Sequence, residues 1–224
     1  ASGKGGTGKT TVAAHLALAA ARSQRTLLID LDVEAPDALG YFPGAAEAAA
    51  VEAVTVLVPR LIETQCKGCG FCSKSCRFGA IIVIGGIVTI DPRICKGCGR
   101  CVSACPDKAL TEVAIEVGLI SSYHSGKLAL MEGRLAVGDI RSTAVIEAAK
   151  RRAGKTDTSV QIRDCPPGVS CPATHAIEGA DYVVLVAEPT EFSLHDLSAA
   201  VELVQGRKIP AGVIINKDGF GSAD

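Results

Sequence analysis

The stretch Gly3-Lys4-Gly5-Gly6-Thr7-Gly8-Lys9-Thr10 matches the pattern G-x-x-x-x-G-K-[ST]. Glycines in such a stretch let successive backbone N–H groups turn inward around phosphate groups. Residues Thr10 to Ala21 are rich in Ala and Leu and contain no helix breaker, which predicts a helix. That helix would present the positive end of its dipole to a phosphate. The pattern alone also fits a Gly-rich turn before a helix, so the rest of the chain must support a nucleotide site.

Two polar side chains at the end of this loop have specific expected roles. The Lys9 ammonium is expected to reach the β- and γ-phosphates of ATP, and the Thr10 hydroxyl to ligate Mg²⁺. The expected nucleotide contacts from the loop and the start of the helix are Gly3, Gly5, Gly6, Thr7, Gly8, Lys9, Thr10 and Thr11.

Apolar runs alternate with helical patterns outside the loop. The predicted strands are Thr26 to Ile29, Val54 to Val58, Ser159 to Ile162, Tyr182 to Val186 and Gly212 to Ile215. Two further helices are predicted at Ile140 to Arg152 and Leu194 to Gln205. This alternation implies an α/β fold with a mostly parallel sheet flanked by helices. The first two strands are expected to be buried, and residues 112–139 give no clear pattern.

The composition favours the same fold class. Hydrophobic residues make up 48% of the chain but aromatic residues only 4%, so the core must consist of Ala, Val, Leu and Ile. Such a core suits helices packed on a buried parallel sheet. The net charge of −1 provides no overall attraction to nucleic acid or to an anionic membrane. No apolar run reaches the roughly 18 residues of a transmembrane segment, and no signal peptide is recognisable.

The cysteines lie mainly in an internal repeat. The run CKGCGFCSKSCRFGAI, from Cys66, aligns with CKGCGRCVSACPDKAL, from Cys95, at an interval of 29 residues. Each copy has the spacing C-x2-C-x2-C-x3-C of bacterial ferredoxins, in which the fourth Cys binds the other 4Fe–4S cluster. The expected ligands are Cys66, Cys69, Cys72 and Cys105 for cluster 1, and Cys95, Cys98, Cys101 and Cys76 for cluster 2.

Other uses of these cysteines fit the sequence less well. Zinc sites usually combine Cys pairs that are separated by longer gaps. Ten Cys without a secretory signal indicate metal ligation in a reducing compartment, so a cytoplasmic location is expected. Cys165 and Cys171 lie outside the repeat and fit either ordinary thiols or, for Cys171, a third metal or redox site in a dimer.

The change in composition suggests three segments. Residues 1–60 and 112–224 are expected to form the two halves of a P-loop ATPase domain, with a ferredoxin-like α+β insert at 61–111. A phosphate loop normally follows a strand, and the last predicted strand runs into the end of the chain. The chain is therefore expected to be a fragment that is truncated at both ends.

The motif KGGTGKT, with its additional Lys4, resembles the deviant P-loop proteins of the MinD/ParA/Mrp and nitrogenase iron protein class. In that class the early lysine crosses a dimer interface to the partner's nucleotide, so the resemblance implies a homodimer and a catalytic role for Lys4. The sequence Asp30-Leu31-Asp32 directly follows a predicted strand. The resemblance gives Asp32 the role of positioning Mg²⁺ and the attacking water.

The resemblance continues in the second half of the chain. In Asp164-Cys165-Pro166-Pro167-Gly168, the first residue would hold Mg²⁺ through water and Gly168 would sense the γ-phosphate. Asn216 and Lys217 stand where the class contacts the base, and Glu188-Pro189 ends the neighbouring strand. Taken alone, a polar residue at a strand end is more often a cap or turn residue. The shared order of all these segments favours the nucleotide-binding interpretation.

These observations predict an ATPase, slow in isolation, whose hydrolysis is coupled to electron transfer through two 4Fe–4S clusters. An alternative is an Mrp-like carrier that assembles and delivers metal clusters, and a third is a MinD-like positioning ATPase, which needs a membrane-binding tail. The expected partner is a redox protein or a cluster-accepting protein. Nucleic acid is not expected, since Lys150-Arg151-Arg152 fits a favourable helix C-terminus.

Overall fold

The computed structural model describes residues 1–42 and 48–219, which divide into two compact units. Unit 1 comprises Ala1–Glu52, Leu119–Leu135 and Ser142–Asp224, within those described residues. Unit 2 comprises Ala53–Gly118 and Ala136–Arg141. Unit 2 is thus longer than the predicted insert at 61–111, and it includes a short segment from later in the chain.

Helices and strands alternate through most of the described chain. The helices are α1 (Lys9–Ala20), α2 (Phe71–Ser75), α3 (Arg100–Ser103), α4 (Ser142–Ala153), α5 (Cys171–Ile177) and α6 (Glu191–Gly206). The strands are β1 (Thr26–Asp30), β2 (Ala50–Leu61), β3 (Ile81–Ile84), β4 (Ile87–Ile90), β5 (Leu110–Ser125), β6 (Leu128–Leu135), β7 (Val160–Asp164), β8 (Val183–Ala187) and β9 (Ala211–Ile215). Among the described residues, no helix combines the length and apolar character that crossing a membrane requires.

Parallel pairing dominates unit 1. Strand β1 pairs in parallel with β6 on one side and with β7 on the other, and β8 pairs in parallel with β9. All five residues of β1 are buried, as its continuous apolar run predicts. The register places Asp30, the last residue of β1, opposite Asp164, the last residue of β7, and opposite Glu132, which lies inside β6. The prediction of an α/β fold with a mostly parallel central sheet is confirmed.

Helix α1 packs on this sheet through its alanines. Ala14 and Ala17 are buried and belong to a core cluster that also contains Leu28 and Leu130. Side chains without bulk let the helix backbone approach the strands closely.

The structure corrects two expectations about the strands. Residues 112–139, which gave no pattern, contain most of β5 and all of β6. These two neighbouring strands are joined at Gly126 (φ 60°) by a connection so short that they must run antiparallel. Strand β2 is not fully buried as expected: Val54 and Val58 are buried, whereas Leu57 is exposed. The alternation shows that only one face of β2 packs on a core.

Unit 2 repeats a small motif. Helices α2 and α3 each begin directly after a left-handed glycine, Gly70 (φ 80°) and Gly99 (φ 69°), at equivalent positions of the sequence repeat. Strands β3 and β4 form an antiparallel hairpin. A small core of Cys72, Cys101, Ile81 and Leu110 holds these elements together. Two of these four buried residues are cysteines, and the partly buried Cys76 and Cys105 pack against them.

Candidate functional site

The phosphate loop wraps the start of α1 in a conformation that requires glycine. Gly6 and Gly8 have φ values of 80° and 90°, a region that residues with a side chain rarely adopt. A Cβ atom on Gly8 would also lie 2.3 Å from Nδ2 of Asn216. The Nδ2 atom of Asn216 donates to the Thr7 carbonyl at 2.9 Å. The strand end that was predicted to contact the base therefore also supports the loop.

Two polar side chains of the loop are buried. Lys9 is buried apart from 8% of its surface, and its Nζ lies 3.4 Å from the carbonyl oxygen of Lys4. Thr7 is 1% exposed, and its hydroxyl has no hydrogen-bond partner among the described residues. A buried donor without a partner is costly unless a ligand oxygen satisfies it. The loop therefore fits the triphosphate of a nucleotide. By contrast, Thr11 points to the surface, where its hydroxyl lies 2.8 Å from that of Tyr41.

The residues before the loop lie along β8. The Ala1 amine donates to the Val184 carbonyl at 2.9 Å, and the Val186 N–H donates to the Ala1 carbonyl at 2.9 Å. The Gly168 N–H donates to the Ser2 carbonyl at 3.0 Å. Gly168, the expected γ-phosphate sensor, is thus tied directly to the chain that enters the phosphate loop. A cavity of about 590 Å³ lies beside this lead-in, lined by residues of β7 and β8 and by Lys9, and it does not include the loop glycines.

A group of carboxylates lies at the ends of β1 and β7. One carboxylate oxygen from each of Asp30, Asp37 and Asp164 lies within 4.8 Å of the others. The Asp30 carboxylate is held by backbone N–H groups, from Asp37 at 3.0 Å and from Ala38 at 2.9 Å. One oxygen of Asp164 is buried without a hydrogen-bond partner. Carboxylate oxygens are the ligands that Mg²⁺ prefers, so this group fits a magnesium ion.

The electrostatics of this group favour a bound cation. Burial raises the pKa of Asp30 to about 7, and that of Asp32, which lies outside the group of three, to about 6. Lys9 opposes the shift at Asp32, whereas Asp164 adds to it. Burial also raises the pKa of Asp164, although the Thr10 hydroxyl and Lys9 oppose it. Buried, mutually repelling carboxylates are stabilised by a divalent cation among them.

The structure distributes the predicted magnesium residues differently from the sequence analysis. Asp164 lies in the carboxylate group, and Thr10 hydrogen-bonds to it. The other two members are Asp30 and Asp37, whereas the half-buried Asp32 lies outside the group of three. Asp37 was missed because a loop residue seven positions after a strand has no spacing signal.

Glu132 was also missed. It lies inside β6, opposite Asp30, and is 3% exposed. One of its oxygens accepts from Arg134 at 2.9 Å, and the other has no partner among the described residues. Its charge contributes to the raised pKa of Asp30. A sequence signal for it exists: Glu132 directly follows the apolar run Leu128 to Met131, where a buried strand would be expected to continue.

Two lysines beside the loop share one carboxylate. The Nζ atom of Lys4 lies 3.0 Å from one oxygen of Glu188, and that of Lys217 lies 2.5 Å from the other. Lys217 also donates to the Gly6 carbonyl at 2.8 Å. Both lysines hold the pKa of Glu188 below its usual range. Pro189 follows in the turn that leads to Thr190, the N-cap of α6, so this end of β8 is fixed next to the loop.

Unit 2 contains two cavities, each lined by four cysteines. The first is lined by Cys66, Cys69, Cys72 and Cys105. The second is lined by Cys76, Cys95, Cys98 and Cys101. These are the two ligand sets expected from the sequence, including the exchange of the fourth Cys between the repeats. All eight thiols are free of disulfide bonds.

The surroundings of the thiols fit a cluster with anionic sulfur ligands. The backbone N–H of Gly68 donates to the sulfur of Cys66 at 3.5 Å. The backbone N–H of Gly97 donates to the sulfur of Cys95 at 3.4 Å. Such amides stabilise negative charge on sulfur. A Cβ on Gly97 would lie 2.2 Å from Cγ1 of Val56, so this ligand loop requires glycine. Each cavity is thus lined by four thiols, and a backbone amide points at one sulfur of each set. Four cysteine ligands are the set that a 4Fe–4S cluster requires.

The two remaining cysteines lie in unit 1, away from both cavities. Cys165 is 4% exposed, and burial raises the pKa of its thiol. Cys171 is exposed at the first residue of α5. Neither of them lines either of the two cavities.

Comparison with known proteins identifies the nucleotide-binding part. The family model for the CobQ/CobB/MinD/ParA nucleotide binding domain matches residues 1–219. An uncharacterized protein of Methanocaldococcus jannaschii is 31% identical over 223 residues, which are 99% of this chain and 78% of the relative. A second uncharacterized protein of that organism is 27% identical over 218 residues, 97% of this chain and 78% of the relative.

Solved structures share the fold at low sequence identity. The cell division ATPase MinD of Pyrococcus furiosus aligns with a TM-score of 0.53 and 17% identity, covering 97% of this chain and 70% of that one. A ParA family ATPase of Chlorobium tepidum aligns with a TM-score of 0.51 and 17% identity, covering 96% of this chain and 71% of that one. The predicted likeness to the MinD/ParA fold is confirmed. With its phosphate loop, its carboxylate group and the match over residues 1–219, the chain belongs to the CobQ/CobB/MinD/ParA nucleotide-binding domain family.

Proposed function

We propose that this protein is an ATPase that couples the hydrolysis of Mg·ATP to electron transfer through two 4Fe–4S clusters. The observation that carries the proposal is the pair of four-thiol cavities in a chain that belongs to a nucleotide-binding family. Nucleotide binding does not require cysteines, whereas eight thiols at the spacing of bacterial ferredoxins are suited to binding iron–sulfur clusters.

The proposed nucleotide chemistry uses residues of unit 1. The buried Lys9 neutralises charge on the phosphates, and the carboxylate of Asp164, with the Thr10 hydroxyl, holds Mg²⁺. Asp32 orients the attacking water, and Gly168 responds to the γ-phosphate through its bond to Ser2. Lys4 acts across a homodimer interface on the partner's nucleotide. Positioning and charge neutralisation of this kind are most of what phosphoryl transfer requires from a protein.

The proposed electron-transfer chemistry uses residues of unit 2. When bound, a 4Fe–4S cluster accepts and releases one electron at a time. The thiolates of the two cysteine sets hold it, and the Gly68 and Gly97 amides stabilise the negative charge of the ligand sulfurs. The buried Cys72 and Cys101 are shielded from water. A reducing compartment such as the cytoplasm would keep these thiols available.

A second candidate function is the delivery of preassembled clusters to an acceptor protein. It is favoured by the exposure of one ligand in each set, Cys69 and Cys98, because an incoming thiol must reach a ligand position for a cluster to be transferred. An electron carrier should instead keep its iron through many redox cycles.

The proposal is tested with the full chain after anaerobic reconstitution with iron and sulfide. We expect about eight iron atoms per chain and a redox titration whose midpoints change when Mg·ATP is added. Iron release to an apo-ferredoxin, without a change in midpoint, would favour the carrier function. A colourless protein, or one that does not bind Mg·ATP, would contradict both.

A further inference from the structure

The two halves of the cysteine repeat are held by different neighbours, although both contain the sequence CKGC. In the first half, Nζ of Lys67 lies 2.5 Å from Oδ1 of Asp107, and three quarters of the lysine side chain is exposed. In the second half, Nζ of the equivalent Lys96 donates to the carbonyl of Ile140 at 3.0 Å. The second ligand loop is therefore held by a segment that comes from much later in the chain.

That segment also contributes a buried guanidinium group. Arg141 donates to the carbonyl of Pro92 at 3.1 Å and to that of Cys95 at 3.4 Å. Asp139 accepts from the backbone N–H of Arg141 at 2.9 Å and from its Nε at 2.7 Å. The two side chains are only 5% and 9% exposed. A buried guanidinium group and a carboxylate at hydrogen-bond distance stabilise each other's charges.

We propose that Arg141, held by Asp139, is a positioning residue for the Cys95 ligand loop, and that this pair gives the cluster bound by Cys76, Cys95, Cys98 and Cys101 a reduction potential distinct from that of the other cluster. The inference rests on the proposed binding of two 4Fe–4S clusters. It assigns a function to the segment 136–141, which belongs to unit 2 although it is remote in sequence.

The expected direction of the effect follows from electrostatics. Reduction adds one negative charge to a cluster, so a nearby positive charge stabilises the reduced form and a negative charge destabilises it. Buried charges act through a low effective dielectric, whereas exposed charges are screened by water and salt. Removing the positive charge of Arg141 leaves the Asp139 carboxylate uncompensated and should lower the potential of this cluster. Removing the negative charge of Asp139 should raise it.

The same region offers a matched control. Arg93 lies one residue after Pro92 and forms an ion pair with Asp91, but 85% of its side chain is exposed. Arg93→Met removes the same charge from the same loop in a screened environment. We expect this variant to leave both potentials unchanged.

The test compares Arg141→Met, Arg141→Lys, Asp139→Asn and Arg93→Met in the full chain. After anaerobic reconstitution, each variant is titrated with dithionite as the electron donor while the two EPR signals are followed, and Cys98→Ser identifies the signal of the second cluster. We expect Arg141→Met to shift the one-electron equilibrium of that cluster by about tenfold, equivalent to 59 mV, toward the oxidised form. Asp139→Asn should shift it in the opposite direction, and Arg141→Lys should retain most of the wild-type value.

The outcomes separate this inference from the proposed function. If the wild-type protein binds no iron, the proposed function fails. If iron binds but Arg141→Met and Asp139→Asn leave both midpoints unchanged, or move both clusters equally, the inference is overturned. If Arg141→Met does not retain iron, Asp139→Asn decides: a selective rise supports the inference, and an unchanged midpoint overturns it.

Discussion

The ammonium group of Lys4 lies 3.0 Å from a carboxylate oxygen of Glu188, within its own chain. The other oxygen of this carboxylate contacts Lys217, so one negative charge neutralises two lysines at the edge of the phosphate loop. A lysine that acts on the nucleotide of a second copy must first leave this contact. The described arrangement therefore holds Lys4 in a position that opposes its proposed role in a dimer.

The first prediction concerns this contact. Glu188→Gln removes the charge that holds Lys4 in its own chain. Because the loss of a solvent-screened ion pair has a modest effect, we expect the ATP-dependent dimer fraction to rise by about two- to fivefold. Light scattering after size-exclusion chromatography, with and without Mg·ATP, measures this. Glu191→Gln, at the exposed start of α6, is the control. A dimer fraction equal to or below that of the wild type would contradict the prediction.

The second prediction separates the nucleotide site from the thiol cavities. Lys9→Ala should weaken ATP binding by about ten- to hundredfold, because it removes charge-assisted hydrogen bonds worth roughly 1.5–3 kcal/mol, while the iron content stays unchanged. Calorimetry and iron analysis on the same sample measure both quantities. Lys155→Ala, an exposed lysine, should change neither. Unchanged ATP affinity in Lys9→Ala would disprove the assignment of the phosphate loop.

The third prediction concerns the two ligand sets. Cys98→Ser should reduce the iron content from about eight to about four atoms per chain and remove one of two EPR signals. Cys171→Ser should retain the full iron content, since Cys171 lies in unit 1 and lines neither cavity. Loss of iron in Cys171→Ser would indicate a further metal site, and full iron content in Cys98→Ser would exclude the ligand scheme.

The fourth prediction concerns the carboxylate group. Asp164 has a raised pKa, so its charge is unfavourable in the folded protein at neutral pH when no cation is present. Asp164→Asn should therefore leave the thermal midpoint without ligand unchanged or raise it by a few °C, while the rise that Mg·ATP causes in the wild type is lost. Asp157→Asn, an exposed acidic residue, should keep that rise. Differential scanning fluorimetry, with EDTA as the metal-free reference, tests both; a full response to Mg·ATP in Asp164→Asn argues against it as a magnesium ligand.

The fifth prediction uses two glycines with similar backbone conformations. Gly97 and Gly70 both have positive φ, but a Cβ on Gly97 would lie 2.2 Å from Val56, whereas one on Gly70 would meet no atom within 4 Å. Gly97→Ala should therefore be more destabilising than Gly70→Ala by roughly 1–3 kcal/mol and should retain less iron. Chemical denaturation and iron analysis measure the difference. Equal stability of the two variants would show that Val56 can move away.

The sequence predicted features that depend on local spacing. The loop pattern before α1, the apolar run of β1 and the interval between Cys66 and Cys95 each predict a local geometry, which the described structure contains. These features need no information about the partner strands. The ferredoxin pattern also implies, without any information about the strands, that Cys76 and Cys105 each belong to the ligand set of the other repeat.

Other features depend on contacts between distant parts of the chain. The long strand β5 alternates exposed and buried residues irregularly, so its segment gave no clear period. Glu132 becomes part of the site only through its register with Asp30, and Arg141 only through its bond to the Cys95 carbonyl. Pairing registers and contacts over 46 residues are set by the packing of the whole unit, which a single sequence does not reveal.

The exchange of cysteines between the two cavities has a consequence for biosynthesis. The ribosome produces Cys66, Cys69 and Cys72 first, but the first cavity is closed only by Cys105, after nearly the whole second run has been made. The second cavity likewise needs Cys76 from the earlier run. Neither set of four cysteines is complete until the second run has been made, so the proposed iron loading must follow the synthesis of both runs.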